Sequence, residues 1–391
     1  METVVKYELI IKYRMIFDFF YRAMKKMVRL ASNHHIYSGC LATAYLSKGK
    51  SCFSDRVSSQ EVGEFKKRWE GISNYVPKVF LEIYQPFSEI KTSDFVPDSI
   101  FFTHIEPIMN NVEFSRSFAD KNMYSLLIDH SFLPKVLLRR MHGRFLDGDY
   151  HTVYNIDDFL LVLAADYERV IIKPSISSQG GRRIRLLESR DGKLFFGNAH
   201  VTLSWLSKEY NDNFLIQEYV QQHPFYSAFN PSSLNTLRIY TYRSVKDEKV
   251  HILSSMLRVG KPGSFIDNIS LGGKACGLFA DGRLNGIAND YEGKTYKSVG
   301  NVDLTLHGKV VGFEDVIRKA KVVAEAQYYS RLIGFDFCVN EQEKGLLIEL
   351  NNYDVGIERV QKCNGPLFGD FTDEIIDYCR RKKKSFKYII R

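Results

Sequence analysis

The sequence predicts a mixed α/β (α+β) protein of two or three subdomains behind a helical N-terminal region. Three observations carry this expectation. The chain has 391 residues, 45% apolar and 26% charged, enough to bury a large core without disulfides or structural metals. From Phe114 onward, apolar runs of strand length alternate with segments of helical period. The first thirty residues carry one long helical stripe.

In that stripe, Leu9, Tyr13, Ile16, Phe17, Phe20, Met24, Met27 and Val28 recur at helical spacing. Lys12, Arg14, Arg22, Lys25, Lys26 and Arg29 fall mostly off it. Two readings follow: a helix docked on the protein's own core, preferred because apolar stripes usually mean core, or peripheral contact with an anionic membrane. Residues 31–112 read as a mixed N-terminal domain punctuated by Gly49, Pro77, Pro86, Pro97 and Pro107. Within it Glu61 to Glu70 reads as helix, and Phe80 to Tyr84 and Ser99 to Phe102 as strands.

Beyond it, Asp120 caps a helix through Ile128, and Ile156 to Ala164 is a second helix with Asp157 and Asp158 in its first turn. Strands are expected at Val136 to Arg140, Val170 to Lys173, Arg182 to Leu187 and Phe214 to Val220. A short helix is expected at Ser204 to Tyr210. Thr236 to Ser244 and His251 to Val259 read as paired strands, and Phe313 to Leu332 as an amphipathic helix. Gly334 to Asn340 and Gly345 to Leu350 read as a hairpin through the Glu341 to Lys344 turn. A basic cluster, Arg380 to Lys384, reads as a solvated tail.

Fifty-four Lys and Arg against 46 Asp and Glu leave a net charge of +8, which leans towards anionic partners. The six cysteines stand apart, with no CxxC pair, as expected for reduced thiols in a cytoplasmic protein. No signal peptide is read, and no apolar run approaches the roughly 18 residues of a membrane span. Walker, dinucleotide, nucleophile-elbow and zincin motifs are absent, and no nucleic-acid reader motif appears, so nucleic acid is not an expected partner.

The residues that carry chemistry lie between Lys173 and Asn351. Glu349 and Asn351, two apart on a strand, face one side, and Asp336 joins them if the hairpin forms. Two carboxylates and an amide oxygen make an oxygen-only set suited to Mg²⁺, and Glu349 within an apolar run would be costly without a partner. Lys173 ends an apolar strand before the loop Ser175 to Gly181, whose Gly180 and Gly181 let backbone N–H groups approach phosphate. Gln217-Glu218-Tyr219-Val220 closes another apolar strand, whose backbone can hold a base edge.

This order of Lys121, Lys173, the glycine loop, Gln217 to Val220, Arg238, Asp336 and Glu349-x-Asn351 resembles the ATP-grasp superfamily. Asn235-Thr236-Leu237-Arg238-Ile239 and Asn268-Ile269-Ser270-Leu271-Gly272-Gly273-Lys274 resemble the sugar-transfer-associated ATP-grasp family of cell-surface polysaccharide genes. The resemblance covers roughly residues 113 to 360. It implies an ATP-grasp fold, two α+β subdomains clasping ATP: a lid at about 173–220 and a metal-binding subdomain at about 224–380, within an ATP-grasp domain 113–391. It implies that Lys121 and Lys173 contact phosphates and that Ser177, Ser178, Gly180 and Gly181 cover them. Gln217, Glu218 and Val220 would hold adenine and His223 the ribose. Arg238 would face the γ-phosphate, Asp336, Glu349 and Asn351 would hold two Mg²⁺ ions, and Lys274 would hold substrate or the transferring phosphate.

The resemblance further implies that a carboxylate is activated by ATP as an acyl phosphate and captured by an amine. A small-molecule or glycan carboxylate and an amine would be the substrates, in capsule or O-antigen biosynthesis. The alternative with the same site is a kinase for a sugar or amino acid group. One departure stands out: many ATP-grasp enzymes follow the metal-ligand Asn with a small or Pro-Gly segment, whereas here Asn352-Tyr353-Asp354-Val355-Gly356 follows. The expected consequence is a different acceptor pocket.

Overall fold

The computed structural model describes residues 2–50, 57–176, 181, 183–306 and 308–382. The expected site residues Ser177, Ser178 and Gly180 lie outside them, as do Arg182, Cys52, Lys383 and Lys384.

The N-terminal helix runs Glu2–Lys50, past the expected end at residue 30. Among its described side chains, those of the second half dock. Ala44 is buried, Cys40 and Leu41 pack against the core, and Lys48 pairs with Glu82 at 2.8 Å. Tyr13, Phe17, Phe20, Met24 and Met27 stay exposed. The preferred reading of the first-thirty stripe, docked on the protein's own core, is therefore corrected.

Ser59–Trp69 is helical, as expected, and opens on a capping box between Ser58 and Glu61. The two strands expected nearby are helices instead, Val79–Tyr84 and the turns from Asp98 to Ile105. The reason is burial: every residue of Val79–Tyr84 is buried. A short segment buried all round shows no 3.6-residue period and cannot be told from a core strand.

Two antiparallel sheets follow. The first holds β1 (Val136–Met141), β2 (Arg144–Asp147), β3 (Arg169–Pro174), β4 (Arg185–Arg190), β5 (Lys193–Phe196), β6 (Ala199–His200) and β7 (Phe214–Glu218). Its order is β2-β1-β7-β3-β4-β5-β6, a wider span than the expected lid. Helices Ile156–Asp166 and Leu203–Tyr210 supply Ile156, Leu160 and Leu206 to a core shared with Ile172, Leu187 and Ile216.

The second sheet holds β8 (Thr236–Arg243), β9 (Val250–Val259), β10 (Lys274–Leu278), β11 (Leu284–Asn289) and β12 (Thr295–Tyr296). A small hairpin, β13 (Ser298–Val299) and β14 (Val302–Asp303), stands beside it. The expected hairpin is β15 (Leu332–Val339) and β16 (Gly345–Asn351). The order is β12-β11-β10-β9-β8-β15-β16.

The helix Phe313–Ala326 covers one face with Val316, Ala320 and Val323. It ends six residues before the expected Leu332, because Leu332 is buried as the first residue of β15. The opposite face carries the N-terminal region. Phe80, Phe95, Phe101 and Ile105 share one core with Tyr240, Tyr242, Met256 and Ile375. Among the described residues, the region expected as a mixed N-terminal domain thus shares this core and has none of its own.

Among the described residues, no helix is long and apolar enough to cross a membrane. Cys40, Cys276, Cys338, Cys363 and Cys379 are free thiols.

Candidate functional site

Strand register assembles the site. Asp336 on β15 stands opposite Arg238 on β8 and opposite Glu349 on β16, so three adjacent strands present these side chains in one row. A register irregularity follows Asp336, where Phe337 pairs with Leu347. The extra residue is Ile348, and both Ile348 and Glu349 line the same cavity, which strict alternation would forbid.

The cavity has a volume of about 460 Å³ and lies between the two sheets, within the usual range for ligand sites. Ile171, Lys173, Gln217 and Val220 come from the first sheet and its exit. Arg238, Arg258, Asp336, Glu349 and Asn351 come from the second. Lys121 enters from the connection before β1. Its backbone N–H donates to Ser175 O at 3.0 Å, which ties it to the start of the glycine loop.

The electrostatics are tight. Arg238 donates Nε to Asp336 Oδ1 and Nη2 to Asp336 Oδ2 at 2.6 Å. Arg258 donates Nη1 to Asp336 Oδ1 at 2.9 Å and lies 3.4 Å from Asp267. Burial alone would raise the Asp336 carboxyl, but the two guanidiniums hold it well below the usual carboxylate range. Burial likewise works against the Glu349 carboxylate, and the Lys121 ammonium, 2.8 Å away, overrides it and lowers the pKa. Among the described residues Lys173 has no such partner. Its ammonium makes a 3.5 Å contact with Ile348 O, and burial, with Lys121 beside it, brings its pKa down to about 7.

Among the described residues, the lining holds four cationic side chains (Lys121, Lys173, Arg238, Arg258) and four carboxylates (Asp267, Asp336, Glu349, Asp354). A triphosphate entering such a balanced wall needs added positive charge, which Mg²⁺ provides. No cluster of three or more His, Cys, Asp or Glu suited to a metal occurs among the described residues. The set here is two carboxylates and an amide. Among the described residues Asn351 Nδ2 is buried without a partner, and turning that amide over presents Oδ1 at the same place. The residue types fit the expected Mg²⁺, and in this structure the two carboxylates are held by Arg238, Arg258 and Lys121.

Not every expected residue reaches the cavity. Gly181, with φ 76°, lines it against Ile266. Glu218 does not: its side chain accepts from Lys135 N at 2.8 Å, on the other side of the strand. His223 caps the helix Pro224–Ser227 through Nδ1 and is not among the lining residues. Lys274 opens β10, and its ammonium lies 4.7 Å from the centre of the Tyr296 ring, away from the cavity. The Gly-Gly before it has a backbone reason. Gly272 has φ 100°, and a Cβ on Gly273 would stand 2.7 Å from Val259 O. Asn235 of the Asn235 to Ile239 motif is structural too: its buried amide donates to Tyr226 O and Asn230 O.

Arg258 and Asp267 were not expected. The only sequence signal for Arg258 was a lone charge within the apolar run Met256 to Val259. The loop after Asn351 turns at Asp354, φ 56°, and places Tyr353 and Asp354 on the cavity.

The sugar-transfer associated ATP-grasp family model matches residues 102–371. Among solved structures, the chain is similar to the ATP-grasp ligase PsnB in complex with a minimal precursor, Mg and ADP. Identity is 14%, over 69% of this chain and 62% of that one, with TM-score 0.38. D-alanyl-alanine synthetase A from Vibrio cholerae matches at 12% identity over 68% of this chain and 65% of that one, TM-score 0.37. Biotin carboxylase from Campylobacter jejuni matches at 12% over 69% and 47%, TM-score 0.38. Each match spans less than two thirds of the other chain. No curated protein matches in sequence. The family match covers well over half of the chain, including both sheets and every described site residue named above, and the chain belongs to the sugar-transfer associated ATP-grasp family.

Proposed function

We propose that the protein uses Mg-ATP to activate a carboxylate as an acyl phosphate and passes the acyl group to an amine. The observation that best supports this reading is the row Arg238–Asp336–Glu349 across three strands, faced by Lys121 and Lys173 over one cavity. In this reading Ile171, Val220 and Ile348 flank the base, and Lys121 and Lys173 take the phosphates. Asp336, Glu349 and Asn351 would hold Mg²⁺, which neutralises phosphate charge.

Arg238 and Arg258 are preorganised by Asp336 and Asp267, so positive charge stands ready where the transferring phosphoryl group develops negative charge. The carboxylate oxygen attacks the γ-phosphorus and ADP leaves. The amine then attacks the acyl carbon, phosphate departs, and the amine loses a proton. No covalent bond to the enzyme is needed. The family's tie to sugar transfer favours a sugar acid or amino acid as the carboxylate, with an amino acid or amino sugar as the amine, in cell-surface polysaccharide assembly.

The test is ADP formation with Mg-ATP against a matrix of uronic acids, amino acids and amino sugars. ADP is expected only where carboxylate and amine are both present. Glu349→Gln is expected to lose turnover by about 100-fold or more while still binding ATP. Wild-type turnover in Glu349→Gln would remove the proposed site.

A further inference from the structure

The N-terminal helix has two faces that look in opposite directions. Its second half docks through Ile36, Tyr37, Cys40, Leu41 and Ala44, all partly or fully buried. In its first half Tyr13, Phe17, Phe20 and Met27 are each 65–68% exposed, and Met24 is 53% exposed. Each residue turns an α-helix by about 100°, so Met24 and Ala44, twenty positions apart, point about 200° from each other. The exposed stripe therefore turns away from the face that meets the body, and the body cannot fold over it without unwinding the helix.

We propose that this stripe lies on an anionic lipid surface and holds the catalytic body beside it. The chemistry of the flanks selects that occupant. Between Tyr13 and Val28 the sequence carries Arg14, Arg22, Lys25 and Lys26 against the single acid Asp18. Arg14, Arg22 and Lys26 are exposed. A helix about 10 Å wide keeps all of them within roughly a Debye length of the surface it rests on. Tyr13, Phe17, Phe20, Met24 and Met27 line one face, and Arg14, Arg22 and Lys26 stand off it together with the exposed Met15 and Phe19; an apolar stripe flanked by basic residues suits an interfacial helix.

The 4–3 spacing of the stripe also fits a two-stranded seam with a second copy. Against that, it runs for only about two heptads, short of the three or four that a coiled coil sustains. Aromatic and Met residues take the places of Leu and Ile, and Tyr21 and Val28 stand where opposite charges would pair the strands. Two parallel copies would also bring like charges together.

The experiment is vesicle flotation of the full chain. Vesicles of 30% phosphatidylglycerol in phosphatidylcholine are compared with phosphatidylcholine alone, at low and high salt. Binding is expected on the anionic vesicles and at least tenfold weaker on the neutral ones or at high salt. Arg22→Glu with Lys26→Glu is expected to weaken it on the order of 10- to 100-fold. Phe17→Asp with Phe20→Asp is expected to abolish it, with ATP binding unchanged as the check on folding. Salt dependence of the unaltered chain stands as a second reading should that variant not fold. Absence of binding by the unaltered chain, or equal binding to neutral vesicles, overturns the proposal. So does a dimer seen by light scattering without lipid that Phe17→Asp with Phe20→Asp disperses. None of these outcomes touches the cavity, so failure here leaves the ATP reading standing.

Discussion

Burial and the neighbouring Lys121 bring the Lys173 ammonium from 10.5 down to about 7. The sign of its linkage follows. Between pH 7 and 10.5 the unfolded chain holds this proton more firmly than the folded one, so stability rises with pH across that window, and below pH 7 the penalty is constant. Nucleotide phosphates favour the charged form, so ATP binding at pH 8.5 should take up a proton. Calorimetry in buffers of different ionisation heat is expected to show uptake of about half a proton or more. The uptake should vanish at pH 6 and in Lys173→Met; buffer-independent heats at pH 8.5 would contradict it. Lys173 was legible because an apolar strand ended on it before a glycine loop. Glu349 and Asn351 were legible because strand alternation placed both on one face among apolar neighbours. Arg258 was not, because only the Thr236–Arg258 register of β8 and β9 brings it beside Asp336. Glu218 and His223 sit in the expected segments, but their side chains accept from backbone N–H groups instead, of Lys135 and of Phe225.

At the scale of elements, the hairpin of β15 and β16 was readable and the helices beneath it were not. Alternation and a polar turn mark a hairpin; full burial erases the period that marks a helix. The elements are joined by polar side chains that no local pattern announces. Buried Asn110 donates to Leu332 O and Asn352 O, both at 2.7 Å, and accepts from Arg331 N and Leu332 N, both at 2.9 Å. One side chain thus ties the N-terminal region to the first residue of β15 and to the loop that follows β16. Asn110→Ala leaves several buried backbone groups unpaired and should cost about 2–4 kcal/mol. Urea unfolding is expected to show a lower midpoint at unchanged slope; a loss below about 1 kcal/mol would mean that these bonds do not anchor the loop.

Across the whole molecule, two antiparallel sheets face each other over the cavity, and the N-terminal region is built into the back of the second. Composition could suggest two or three subdomains but could not show that Phe80 and Tyr242 belong to one core, since that contact is set by tertiary packing. The arrangement places balanced charge between the sheets and leaves the first half of the N-terminal helix pointing outwards. Attack of a carboxylate oxygen on ATP can be followed with the carboxylate substrate from the ADP matrix, labelled with ¹⁸O in its carboxyl group and turned over with its amine. One ¹⁸O atom is expected in each phosphate released, because the attacking oxygen leaves with the phosphoryl group when the amine takes the acyl carbon. Unlabelled phosphate, or a stable phosphorylated product with no amide, would contradict it.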